Sequence, residues 1–501
     1  MTTDKRYEKL LVYGAGTLFI AANAILMLRG FYYLPLLALV PLVIYLAFFS
    51  LDKLFMAVVF LTPLSVELSR FGSGLSFDLS LPTEPLIVVI VLVVLLRIIY
   101  YGSYNTAVLY HPVSLAVMFY LLWLFITSLT STMPLVSIKF FLVRFWFILV
   151  FYFLAIKIFQ RGKNISLFIG CYIFSLFAVV IYTLYNHAGY GFDAQRVMRW
   201  VVRPFYNDHT AYAAALAMFI PLLTLFAFRG RSYAYHLLRG PARALGFKDR
   251  TKFAGYFYHV LWAILLVFIT AMVFSYSRAA WLSLLAALGV WVIIRLRIGF
   301  TALVSFTLLS ALLIFMLRHD IVREFEANTQ DSSEDFSEHI RSITNISTDA
   351  SNLERINRWN AALAMFGEKP LLGWGPGTYM FRYAPFQYSY DRTIISTNAG
   401  DGGDAHSEYL GPLAETGLPG MLSFMVVALV ILLTGFRLIR QLRSKKERMM
   451  AAGVVLGLMT YLVHGVLNNF LHSDKAAVPF WGFAAILVAM DLYGKKSDSI
   501  S

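Results

Sequence analysis

The residues of this 501-residue chain whose types suit chemistry sit at the margins of apolar segments. His406 lies in "DGGDAHSEYLGPLAETGLPG", Asp401 to Gly420, with Glu408 and Glu415 close behind it. An imidazole with an ordinary pKa of about 6.5 takes a proton near neutral pH, so His406 is a candidate general base. A surface histidine near a helix start is the plainer alternative. Arg196, Arg199 and Arg203 precede "YNDHTAYAAALAMFIP", where Asn207, Asp208 and His209 mark a helix start. Arg278, in "SYSRAAWLSLL", is the one Lys, Arg, Asp or Glu between Phe253 and Ile294. A charge in such surroundings is costly unless paired or able to reach headgroups, which makes it a site candidate. Guanidinium forks match a diphosphate and stay charged, and the aromatic faces of Trp200, Tyr206, Trp281, Trp359, Trp374 and Tyr379 suit sugar rings. The set fits a lipid-linked diphosphate that carries a sugar. No His-Glu-x-x-His pattern or Cys/His cluster occurs, and Asp401 with Asp404 is a thin basis for a hard cation, so no metal or other cofactor is expected.

The elements that position these residues are membrane helices. Hydrophobic residues make up 59% of the chain, charged residues 14%, and the mean hydropathy is +0.69, far above a soluble protein of this length. The single cysteine, Cys171, lies in an apolar run, so no disulfide forms within one chain. About 20 apolar residues cross a bilayer as a helix. That ruler gives spans near 10–28, 32–50, 54–68, 82–100, 112–130, 135–157, 165–186, 209–228, 257–275, 279–295, 299–317, 418–436, 450–468 and 475–493. The third is short and broken by Pro63, so the expectation is an all-α polytopic membrane protein of about 12–14 transmembrane helices. The charged start leads into a first apolar run without a small-x-small cleavage site, which reads as a retained helix.

Basic residues set the orientation, because Lys and Arg favour the cytoplasmic side. The 229–252 loop holds seven against Asp249 alone, and 437–448 holds six against Glu447 alone. Alternating spans place both loops and both termini inside. The stretch 318–417, with 15 of the chain's 28 acidic residues, then falls outside. The net charge of +14 therefore reports topology rather than nucleic-acid binding. Within the outer loop, "LERINRWNAALAMFGEKP" spaces Leu353, Ile356, Trp359, Leu363 and Phe366 as an amphipathic helix lying on the membrane, and Gly373, Gly375 and Gly377 around Trp374 make a tight turn. Three regions result: N-terminal helices over 1–190, a core over 191–436 that includes the loop 318–417, and C-terminal helices with a cytoplasmic tail over 437–501.

"RPFYNDHTAYAAALAMFIP", "SRAAWLSLLAAL", "NRWNAALAMFGEKPLLGWGPGTY" and "DAHSEYLGPLAETGLPGMLSF" resemble, in order, the motifs of the O-antigen ligase and O-antigen polymerase superfamily of bacterial inner-membrane glycan transferases. The resemblance covers roughly residues 200 to 425. It implies a metal-independent glycosyltransferase with a GT-C-like membrane fold and a large periplasmic loop. Such an enzyme takes a glycan from undecaprenyl diphosphate and joins it to an acceptor hydroxyl: lipid A core for a ligase, a growing glycan for a polymerase, or a protein Ser/Thr. His406 matches the histidine proposed as the base, and Arg278 matches a diphosphate-binding arginine. Arg199 or Arg203 matches a second, and relatives that read Gly and Asn-Pro-Asn where this chain has Arg203 and Asn207-Asp208-His209 leave the choice open. Arg358 matches a further recurrent arginine. Supporting roles fall to Arg358, Glu408, Asn207 and His209, with Glu408 read either as orienting His406 or as a helix N-terminal charge.

A lipid-linked glycan transporter is the reading from another class, with Glu67, Lys139 and Arg144 as midplane candidates. The cytoplasmic loops carry no Walker A loop, Asp-x-Asp pair or dinucleotide fingerprint, which disfavours an ATP or nucleotide-sugar enzyme working inside. The topology is checked by reporter fusions: alkaline phosphatase joined within 330–345 is active, and joined near 240 is inactive.

Overall fold

The computed structural model describes residues 39–71, 79–102, 105–244, 250–296, 350–389 and 403–494, with Gly14, Thr17, Gly246, Arg392 and Ser396 as isolated positions. The expected spans at 10–28 and 299–317, and the first part of the outer loop, lie outside them. The principal helices are α1 (Leu39–Phe49), α2 (Leu51–Leu61), α3 (Thr83–Tyr101), α4 (Pro112–Leu129), α5 (Pro134–Phe159), α6 (Lys163–Ala188), α7 (His209–Ala227), α8 (Arg231–Ala244), α9 (Arg250–Val273), α10 (Arg278–Leu296), α11 (Ala350–Glu368), α12 (Leu410–Gln441), α13 (Lys445–His464) and α14 (Asp474–Tyr493). Among the described residues, nine helices are long and apolar enough to cross a membrane. The chain is a polytopic, mostly helical membrane protein. The weak third span is the short α2, which ends in a 3₁₀ turn at Pro63 and gives way to a two-residue antiparallel pairing of Val66–Glu67 with Ser80–Leu81.

α13 and α14 form the centre of the bundle. α13 packs against α7, α10 and α12, and the Trp481 and Phe483 side chains of α14 are fully buried. Close approach of α13 to α7 depends on a missing side chain: a Cβ on Gly457 would stand 2.4 Å from the Met218 carbonyl oxygen. Helices that carry polar residues at their outer ends, α7, α10 and α12, thus share one central partner.

Three elements differ from the sequence reading. The basic stretch after α7 contains a helix, α8, packed on α6 and α9, because its apolar residues Ala234, Leu237 and Leu238 share one buried face. α12 begins at Leu410, eight residues before the expected span, and carries a kink at Gly417. In α11 the buried face is the polar one: Glu354, Asn357 and Arg358 are buried with Ala361, Ala362 and Met365, while Leu363 is exposed. The apolar stripe is real, but hydrogen bonds and ion pairing satisfy the polar side chains inward, which periodicity alone does not reveal.

The outer loop is clipped to the bundle through its backbone. Trp374 and Gly375 amides donate to the Ala414 and Glu415 carbonyls at 3.1 and 2.7 Å, and the Leu418 amide donates to Pro370 at 2.9 Å. The Trp374 carbonyl in turn accepts from the Thr132 amide at 3.0 Å. A small core of Ala361, Ala362, Met365, Tyr379, Tyr383, Ala405 and Ala414 fills the space between α11 and the start of α12. Gly417 makes this clip possible. Its φ of 70° with ψ of −176° is glycine backbone, and a Cβ there would meet the Leu371 carbonyl oxygen at 2.1 Å. Gly417→Ala is expected to destabilise the protein by ~1–3 kcal/mol from backbone strain alone, read as a lower Tm in detergent.

Candidate active site

His406 projects from the loop that leads into α12. Its backbone is in the left-handed region, φ 45°, held there because the Asp404 carboxylate accepts its amide hydrogen at 3.0 Å. The same carboxylate oxygen lies 3.1 Å from His406 Nδ1. A carboxylate beside Nδ1 favours the tautomer that carries its proton there, which leaves Nε2 as the proton acceptor. With its side chain 36% exposed, the imidazole is reachable yet not fully solvated. Burial pulls its pKa below the ordinary value; Asp404 opposes this, and the nearby charges of Arg358 and Arg355 reinforce it.

Arg358 builds the loop rather than facing outward. Its Nε donates to Glu354 Oε1 at 2.9 Å, Nη1 donates to the Asp404 carbonyl at 3.0 Å, and the guanidinium stacks over Tyr383 at 5.5 Å. Tyr379 adds a hydrogen bond to the Arg358 carbonyl at 2.7 Å. The chain of contacts Glu354, Arg358, Asp404, His406 therefore sets the position of the imidazole.

The remaining expected residues arrange around it. Asp208 caps α7, accepting the Thr210 amide at 3.2 Å and pairing with His209 Nδ1 at 2.8 Å. Burial would raise its pKa, but the hydrogen bonds from His209 and Thr210 hold it well below the usual carboxylate range. Asp208 is near enough for its charge to act on His406 and on His464, the last residue of α13. His464 lies against the backbone of Ala279, next to Arg278 at the start of α10. The outer ends of α7, α10 and α13 thus meet the histidine loop. Asn207 donates to Glu67. Arg199 and Arg203 are both exposed, one helical turn apart, on the short segment before α7. Among the described residues, no three His, Cys, Asp or Glu side chains cluster as a metal site.

Glu408 does not orient His406. It is buried and faces the opposite way, where Oε1 accepts from the Tyr461 hydroxyl at 2.7 Å and from the Leu471 amide at 2.8 Å, and Oε2 lies 3.7 Å from Arg144. Glu415 accepts the Tyr379 amide at 3.0 Å and so braces the glycine turn. The sequence reading missed Glu354 and Arg355 as site neighbours, and His464 altogether. The i to i+4 spacing of Glu354 and Arg358 was a usable signal for an ion pair; a lone histidine in apolar α13 offered none.

With this geometry in place, one part of the chain can be compared with a known family. Residues 263–425 match the O-antigen ligase family model. The matched segment runs from α9 into α12 and takes in Arg278, Arg358 and His406, while Arg199, Arg203 and His464 lie outside it. The match is consistent with the ligase and polymerase superfamily that the motifs resemble, and it supports a glycan-transferring role. No curated protein matches the chain.

Because the side chains of Arg144 and Glu408 are 6% and 4% exposed, removing one partner leaves a buried charge. Arg144→Ala is expected to cost about 3–5 kcal/mol and to lower the Tm, whereas Arg144→Met combined with Glu408→Gln recovers much of it, since Gln still accepts from Tyr461 and Leu471.

Proposed function

We propose that this protein transfers a glycan from undecaprenyl diphosphate to an acceptor hydroxyl on the periplasmic face of the bacterial inner membrane, with lipid A core as the acceptor and both termini cytoplasmic. The observation that carries this reading is His406, with Nδ1 on Asp404 and Nε2 free, inside the segment that matches the O-antigen ligase family. His406 Nε2 removes the acceptor hydroxyl proton as the oxygen attacks the anomeric carbon. The bond from that carbon to the diphosphate oxygen breaks, and undecaprenyl diphosphate departs. Negative charge grows on the leaving diphosphate, and guanidinium groups stabilise it without a metal. Arg278, together with Arg199 or Arg203, supplies them at the outer ends of the helices. Arg358 is a positioning residue, since its Nε and Nη1 donate to Glu354 and to the Asp404 carbonyl. One displacement, with no covalent sugar on the protein, inverts the anomeric configuration.

The transporter reading weakens on two contacts. Glu67 accepts from Asn207 at the outer face, and Arg144 pairs with Glu408 of the histidine loop. Both groups therefore brace the outer end of the bundle.

The test is transfer by purified protein from a lipid-linked glycan to lipid A core. His406→Ala is expected to lower the rate by about 10²–10⁴-fold while lipid-linked precursor still reaches the periplasm in cells, and EDTA leaves the rate unchanged. Full activity in His406→Ala, or loss with EDTA, overturns the proposal. Products lengthened on undecaprenyl diphosphate, or glycan on protein Ser/Thr, would move the acceptor assignment.

The lowered His406 pKa fixes the sign of the pH dependence. The neutral base is present above that pKa, so kcat/KM is flat at neutrality and falls only as pH drops below the ordinary histidine value of about 6.5. Arg355→Gln removes a charge that lowers the pKa, so its acid limb moves to higher pH; Asp404→Asn removes one that raises it, so its limb moves lower.

A further inference from the structure

At the opposite end of the bundle, a cavity of about 810 Å³ opens between the cytoplasmic ends of α7, α10, α12 and α13. Five cations from these ends line it: Arg229, Arg295, Arg440, Lys445 and Arg448. Among the described residues, no acidic side chain does. Glu447, the one acidic residue between Phe436 and Ala452, is not part of the lining. Deeper in, the walls turn apolar and aromatic, with Trp291, Ile294, Phe436 and Met449.

Basic residues at cytoplasmic helix ends also arise from topology alone. Topology does not require that five of them converge on one concave space. Like charges gathered this way repel one another, and an anion in their midst relieves that repulsion. A polyanionic headgroup above an apolar wall is the chemistry of an anionic membrane lipid, for which basic pockets between helices on the cytoplasmic side are suited. We propose that this cavity binds an anionic phospholipid of the cytoplasmic leaflet, with cardiolipin, whose two phosphates span several cations, preferred over phosphatidylglycerol. The inference does not depend on the transfer reaction. It does have a structural consequence, because the same four helices carry Asp208, Arg278, the histidine loop and His464 at their other ends. A lipid held between the inner ends fixes their spacing throughout.

The experiment is native mass spectrometry and thermal melting of the full-length protein in detergent with added cardiolipin, phosphatidylglycerol or phosphatidylethanolamine. Cardiolipin is expected to be retained and to raise the Tm, with an affinity at least about tenfold above phosphatidylethanolamine, given the attraction of each cation to anionic headgroups. Arg440→Gln with Arg448→Gln loses this preference. Arg161→Gln with Lys163→Gln, two exposed cations on the same face outside the cavity, keeps it. Monodisperse elution and an unchanged Tm without lipid show that the cavity variant is folded; should it fail, Arg229→Gln with Arg295→Gln takes its place. Equal retention of phosphatidylethanolamine, equal loss in both double variants, or displacement of cardiolipin by inorganic phosphate at matched phosphate concentration would overturn the proposal, the last by showing a site for free anions.

Discussion

The structure depends on how one polar loop is fastened to the outer end of an apolar bundle. Glu408 does this from inside. Its carboxylate receives the Tyr461 hydroxyl from α13 and the Leu471 amide from the α13–α14 connection, and lies beside Arg144 of α5. A buried carboxylate with fewer partners would be strongly destabilising, so these donors specify one placement of residues 404–410. His406 sits two residues earlier, on the other side of the chain. The histidine side chain is partly exposed where the glutamate is buried.

Above that anchor, backbone hydrogen bonds add to the Glu415 side chain in holding the loop. The glycine turn at Gly373–Gly377 and the kink at Gly417 exchange amide and carbonyl bonds, and the turn is also held to the end of α4 through Thr132. α11 is then seated on this platform through its polar face. An imidazole proposed as a base must be held within a narrow range of positions to act, and a loop alone seldom provides that. Here the loop borrows its stiffness from α4, α5, α12 and α13.

Much of this was legible in the sequence. Long apolar runs marked the helices, with boundaries within a few residues for α3 to α7 and for α14, because hydrocarbon thickness dictates length. His406 and Arg278 stood out as ionisable groups next to such runs, and Arg358 only through the motif it shares with the family that the sequence resembles. What the sequence hid was direction. The partners of Glu408 come from Arg144 and Tyr461, hundreds and tens of residues away, and no spacing rule links them. The inward face of α11 reversed its apolar stripe for the same reason: Gln387 and the Asp404 carbonyl, which satisfy Asn357 and Arg358, belong to later segments. The basic stretch of α8 read as a loop because its charge masked a buried apolar face.

Gly403 carries a consequence for how this loop can change. The volume that a Cβ would take at Gly403 is filled by the Arg358 guanidinium, whose Nη1 would stand 2.3 Å from it. The two positions therefore compete for one space, 45 residues apart in the chain. A side chain at 403 would have to push that guanidinium aside, and with it the hydrogen bond that its Nη1 donates to the Asp404 carbonyl. The seat of the histidine loop on α11 is thus shared between a residue with no side chain and one with the longest cationic side chain.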